Sequence, residues 1–253
     1  MTKAAVLFIH GFPFDHSMWR HQVEALPGWE CLAPDLRGAG VTDAPPPPPP
    51  ADPDDYSMAA YARDLTALLD KQSIQRVVLC GLSIGGYIAF ELLRQIPARV
   101  RAAILCNTKS AADTPEAKRG RDVLAEKARS LGARAVAQEL IPKVLGRETR
   151  ERRPDVVGEV TQMMERQPVA GIVGALHALR ERPDSTPLLE RIRVPVLVVA
   201  GADDQITPAQ GMREMASAIP GAEFVVIPDA GHLAPLEQPD AVNSAMTAFL
   251  TKL

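Results

Sequence analysis

The sequence predicts an α/β fold: an open, mostly parallel sheet of about six strands, with helices on both faces and a helical insertion. Three observations predict it. Short runs rich in Val, Ile and Leu alternate with longer helical patterns. Those runs mostly lack period-2 alternation, as strands buried on both faces do. Polar residues gather just past the ends of the runs, where open parallel sheets bind ligands.

The expected strands are Ala4–His10, Glu30–Asp35, Arg76–Gly81, Ala102–Asn107, Val194–Gly201 and Glu223–Pro228. Helical patterns fall over His16–Leu26, Ser57–Lys71, Ile84–Gln95, Ala209–Ile219 and Ala241–Leu250. Two segments break this rhythm. Ala44–Asp54 holds the proline run Pro45 to Pro50 and reads as an extended surface loop, because proline has no N–H to donate. Ser110–Glu190 offers no convincing strand. Its stretches Val123–Leu131 and Ala133–Leu145 read as helices, with cuts expected at Pro142, Pro154, Pro168 and Pro183. The division this implies is a core of residues 1–109 and 191–253 and a helical insertion of 110–190.

Bulk properties narrow the chemistry. A chain of 253 residues is long enough for one such domain. A net charge of −3 gives no general attraction to nucleic acid or to an anionic membrane. Basic residues thicken between Lys118 and Arg153, but interleaved acids make that stretch a solvated helical face. Cys31, Cys80 and Cys106 lie in or beside apolar runs and read as free thiols of a reducing compartment. No apolar run approaches the roughly 18 residues of a membrane span. No signal-peptide pattern opens the chain, so a cytoplasmic address is the default. No Cys/His cluster implies a metal, and no cofactor is expected.

The strand ends carry the chemistry. The first expected strand runs into His10-Gly11-Phe12-Pro13, the third into Gly81-Leu82-Ser83-Ile84-Gly85-Gly86, and the fourth into Asn107-Thr108. The fifth runs into Gly201-Ala202-Asp203-Asp204, and the sixth into Asp229-Ala230-Gly231-His232. A serine on a sharp turn from strand to helix is held in strain with its hydroxyl above the sheet. The helix that follows offers unpaired N–H groups to a developing anion.

A serine hydroxyl is a weak nucleophile and needs a base. His232, in a short turn after the last strand, is the expected base for Ser83, with a structural turn histidine as its alternative. His10 suits a structural role in its turn, and His16 and His21 sit on a surface helix. A carboxylate must then hold the imidazole tautomer. Asp203 and Asp204 compete, and Asp204 is assigned, with Asp203 capping its loop or facing solvent. Asp35 precedes Ser83 in the chain and is expected to pair with Arg37. Two donors must meet a tetrahedral oxyanion. The backbone N–H groups of Ile84 and Phe12 fit. Trp19 reads as a core residue, with lining the substrate pocket as its alternative, and His177 reads as an exposed or core histidine, with substrate contact as its alternative.

Together these motifs resemble the α/β-hydrolase superfamily: His-Gly-Phe-Pro at 10–13, Asp-Leu-Arg-Gly-Ala-Gly at 35–40, Gly-Leu-Ser-Ile-Gly-Gly at 81–86, Gly-Ala-Asp-Asp-Gln-Ile-Thr-Pro at 201–208 and Ala-Gly-His at 230–232. In such enzymes the acid lies three residues after the glycine of Gly-x-x-Asp, which favours Asp204 over Asp203. The resemblance implies that 110–190 is the variable cap over the substrate. It is nearest to small carboxylesterases and 3-oxoadipate enol-lactonases, which implies a small ester or lactone as partner. Cofactor-free perhydrolases and haloperoxidases use the same three residue types, and the fold also serves some small-molecule binding proteins. The family sheet usually begins with two further strands, and only nine residues precede His10, so a six-stranded sheet is expected.

Overall fold

The computed structural model describes residues 5–40 and 55–253. The proline run lies outside them. The sheet has six strands, all parallel, in the order β2-β1-β3-β4-β5-β6. They are β1 (Ala5–Ile9), β2 (Glu30–Leu32), β3 (Val77–Leu82), β4 (Val100–Cys106), β5 (Val196–Gly201) and β6 (Glu223–Ile227). The second strand stops three residues short of its expected end. Pro34 supplies no ladder donor there, and β2 is an edge strand paired to β1 over three positions.

The absence of alternation in the sequence has a direct cause. Ala5, Leu7 and Ile9 enter one hydrophobic core, while Val6 and Phe8 enter a second core on the opposite face. Both faces are apolar, so a period of two leaves no polar trace. The first core is closed by α2 (Met58–Lys71), α3 (Ile84–Gln95) and α9 (Ala209–Ser217). The second is closed by α1 (Arg20–Glu24), α10 (Ala234–Glu237) and α11 (Pro239–Leu250).

The pattern at His16–Leu26 forms two pieces, a 3-10 turn at His16–Trp19 followed by α1. Asp15 caps the turn by accepting the N–H of Ser17. Trp19 takes the core place and not the pocket alternative: it is fully buried. Its ring packs on Phe8 with centroids 5.3 Å apart, because a large aromatic gains most from the core.

Between β4 and β5 the described chain is helical: α4 (Pro115–Val144), α5 (Arg147–Arg152), α6 (Pro154–Glu165), α7 (Val169–Arg180) and α8 (Thr186–Leu189). The two expected helices lie within α4, which is interrupted at Gly132 (φ 80°). Pro142 does not cut α4. It stands in the last turn, where it forfeits one hydrogen bond shortly before the helix ends at Val144. Pro154 and Pro168 open helices, where a missing N–H costs nothing. This helical segment seats α7 on the loop after β2. A side chain at Gly171 would meet the Gly38 carbonyl oxygen at 1.6 Å. Buried Asp15 adds a second tie, accepting hydrogen bonds from Arg166 and Gln167.

All three cysteines are free, and Cys80 and Cys106 are buried. Among the described residues no helix is long and apolar enough to cross a membrane. Leu79 is fully buried at the middle of β3. Leu79→Ala is expected to lose about 2–5 kcal/mol in guanidinium unfolding, from lost burial and the cavity left behind.

Candidate active site

The strand order reverses between β1 and β3. The chain leaves β1 toward β2 and then crosses to begin β3 on the other side. The loops after β1 and β3 therefore diverge and leave a crevice at the carboxyl ends. Gly11 and Phe12 follow β1, and Ser83 follows β3.

Ser83 caps α3 with φ 56° and ψ −112°, a conformation that L-residues with a side chain rarely adopt. The flanking glycines make the turn possible. A Cβ on Gly81 would meet the Gly85 carbonyl oxygen at 2.3 Å, and one on Gly85 would meet the Ile9 carbonyl oxygen at 2.2 Å. Ile84 is the first residue of α3, so its N–H has no partner within the helix. Phe12 and Ile84 line one narrow, mostly apolar cleft with Leu36, Tyr61 and Ile172.

The acid and the base lie on neighbouring loops. His232 Nδ1 is 2.8 Å from Asp204 Oδ2, and both residues are buried. With that nitrogen donating, Nε2 is the free ring acceptor. Asp204 Oδ1 accepts the N–H groups of Ile206 and Thr207. Its Oδ2 also accepts Thr207 Oγ1 at 2.5 Å and Asn107 Nδ2 at 2.8 Å. Burial pushes this carboxyl upward. The His232 charge, then the donors of His232 and Thr207, overcome burial and hold it at about 2, below the ordinary 3.8. Asp203 is exposed, and its N–H donates to the Ala230 carbonyl.

The end of β4 ties the pieces together, through bonds that a strand end at Asn107-Thr108 does not by itself announce. Thr108 Oγ1 donates to the Ser83 carbonyl at 2.8 Å, and the Ser83 N–H donates to the Cys106 carbonyl. The adjacent Asn107 donates to Asp204 and, at 3.2 Å, to the Gly231 carbonyl beside His232. Two consecutive residues thus brace the serine turn on one side and the acid and base loops on the other.

Other expected residues stand elsewhere. His177 is half-buried in a depression shared with Arg121, Arg129 and Arg180, apart from the cleft, because it faces the α4 side of α7. Asp35 does not pair with Arg37. It accepts the N–H and Nδ1 of His16, while the Arg37 fork reaches Asp64 on α2. His10 is buried, with Nε2 accepting the Leu36 N–H and Nδ1 donating to the Gly11 carbonyl. Burial lowers its affinity for a second proton. Among the described residues one group, Asp15, His16 and Asp35, offers three ligand atoms within 4.8 Å of one another. Those atoms are already engaged with Arg166, Gln167 and one another.

Two outcomes follow from this geometry. Ser83→Gly removes the strained side chain and is expected to raise unfolding stability by about 1 kcal/mol, read from guanidinium melts. The Asp204 carboxyl titrates lower in the folded chain than in the unfolded one. Its contribution is therefore whole above pH 3.8 and fades as pH falls through about 2. The stability gap between the wild type and Asp204→Asn is expected to be about 2 kcal/mol at neutral pH and to close over that window.

Comparison with known proteins agrees with this architecture. The structure is similar to a thermophilic esterase from Thermogutta terrifontis, with 40% identity, a TM-score of 0.92, and coverage of 99% of this chain and 90% of that one. It is similar to an enol-lactonase from Burkholderia xenovorans, with 30% identity, a TM-score of 0.89, and coverage of 99% and 92%. A relative from Mycobacterium tuberculosis that carries a non-heme bromoperoxidase name is 30% identical over 100% of this chain and 95% of its own. A profile of the alpha/beta hydrolase fold matches residues 4–239, and the chain belongs to that family.

Proposed function

We propose that the chain is a serine hydrolase that cleaves small carboxylic esters or lactones through an acyl-enzyme on Ser83. The observation that carries this reading is the buried hydrogen bond from His232 to Asp204, on loops that Asn107 holds while the adjacent Thr108 holds the turn of a serine at positive φ. Similarity to proteins named as an esterase and an enol-lactonase supports the substrate class. Buried free thiols at Cys80 and Cys106 fit a reducing, cytoplasmic address.

In the proposed cycle His232 Nε2 takes the proton of Ser83 Oγ as that oxygen attacks the acyl carbonyl. The N–H groups of Phe12 and Ile84 receive the developing oxyanion. The tetrahedral species collapses, the C–O bond to the alcohol breaks, and His232 returns its proton to the departing oxygen. In a lactone that oxygen stays tethered to the acyl group. Water then gives a proton to His232 and attacks the acyl carbonyl. Collapse frees the acid and restores Ser83. Asp204 stays ionised throughout and steadies the imidazolium. Residues 110–190 form the cap over the acyl group, and the narrow apolar cleft beside Phe12 and Ile84 favours short chains.

A fluorophosphonate probe is expected to label Ser83, with a burst of p-nitrophenol from p-nitrophenyl acetate. Ser83→Ala is expected to lower steady-state turnover by about 10⁴-fold or more. Undiminished turnover in that variant overturns the reading. In a chain-length series run beside a set of lactones, acetate and butyrate esters are expected to outpace the dodecanoate.

A further inference from the structure

We propose that Glu237 is a positioning residue whose carboxylate clamps the His232 loop to the helical segment and so fixes where the imidazole reaches. The proposal rests on the reading of Ser83 and His232 given above.

Glu237 ends α10 and is 1% exposed, yet no cation is among its hydrogen-bond partners. Its two oxygens divide the work. Oε1 accepts the N–H of Gly231 at 2.8 Å and of Leu233 at 3.2 Å, the residues on either side of His232. Oε2 accepts the N–H of Gly146 and the hydroxyl of Thr149, each at 2.7 Å. Gly146 and Thr149 belong to the helical segment between β4 and β5. One side chain therefore joins the loop of the proposed base to the elements that would cover a substrate.

The join leaves no room for slip. A Cβ on Gly231 would meet the Gly146 nitrogen at 2.3 Å, and one on Gly146 would meet the Gly231 nitrogen at 2.9 Å. The intervening N–H, that of His232, donates to the Val144 carbonyl at 2.9 Å. All three amides from 231 to 233 are thus fixed, two of them by one carboxylate. Asn107 holds the Gly231 carbonyl from the other side.

The chemistry of the clamp asks for an anion. Four donors converge on two oxygens, and a carboxylate can accept from all four. Burial without a countercharge is costly, and it pushes the Glu237 carboxyl above its usual range against the pull of those donors. A neutral side chain of the same shape avoids that cost but cannot serve both sides. Glutamine offers one acceptor oxygen and an NH2 that only donates, so either the Gly146 N–H or the N–H groups of Gly231 and Leu233 lose their acceptor. The anion is retained where geometry, rather than stability, is the gain.

The test compares Glu237→Gln, Thr149→Val and the double variant with the wild type. Thermal melts confirm folding, and p-nitrophenyl acetate supplies kcat and KM. Glu237→Gln is expected to lower kcat about 100-fold, because a small misplacement of a catalytic group costs that much. Its KM is expected to stay within about threefold, since substrate binding is not what the clamp controls. Thr149→Val is expected to lower the same parameter by less. The double variant is expected to be no worse than Glu237→Gln alone, because both changes cut one network. A folded Glu237→Gln enzyme with kcat within about twofold of wild type overturns the proposal, as does a rise in KM with kcat unchanged. If Glu237→Gln does not fold, Thr149→Val decides on the same criterion. Fluorophosphonate labelling of wild-type Ser83 separates the two levels. Labelling and turnover with unaffected variants sink the clamp alone. No labelling and no turnover sink the reading of Ser83, and the clamp with it.

Discussion

A buried carboxylate is tolerated only where its oxygens are met by donors, and Asp204 sets that demand for the whole carboxyl edge of the sheet. Its five hydrogen bonds come from three places: the end of β4, its own loop before α9, and the loop after β6. None of those segments can shift without leaving charge unpaired in a low-dielectric site. The orientation of the His232 ring follows, because Nδ1 is committed to the carboxylate. The Asn107 amide follows as well. Both partners of its Nδ2 are acceptors, so the side chain has one sensible orientation.

Ser83 answers to a different constraint. Its backbone stands where glycine would be at ease, and Gly81 and Gly85 are there because any side chain would strike neighbouring carbonyls. The strain is local and the surroundings over-determine it: β3 leads in, α3 leads out, and Thr108 holds the carbonyl between them. The same geometry lifts the Ile84 N–H clear of helix bonding, so strained serine and free donor are one feature of the turn rather than two. That coupling makes the proposed pairing of nucleophile and oxyanion donor economical in residues.

Much of this was legible in the sequence, and the boundary of legibility is physical. The sheet could be read because both faces of each strand are apolar. The placement of Ser83, Asp204 and His232 at one edge could be read because each lies within five residues of a strand's end, and parallel strands bring such residues together. What stayed hidden depends on partners distant in the chain. Glu237 meets Gly146 across 91 positions. Thr207 looked like part of a loop motif, and Asn107 and Thr108 looked like a strand end. The same blindness misdirected Asp35, because spacing could not show that Arg37 would find Asp64 on α2. For Trp19 and His177 the pocket alternative stayed open for want of a facing surface, and the structure takes the other reading of each. A helical pattern says which residues share a side, not what lies opposite.

The edge of the sheet is also ordered in time. A ribosome releases β3 and Ser83 long before β5, β6 and the loops they carry. Until then the serine has neither Asp204 nor His232 beside it, and a hydroxyl without a base is a poor nucleophile. Gln22 likewise waits for Pro235 and Asn243. Under the proposed function a half-made chain is therefore chemically quiet whatever acyl groups it meets. On the same proposal a protease that clips the C-terminal loops returns the molecule to that silent state, even if the remaining sheet survives.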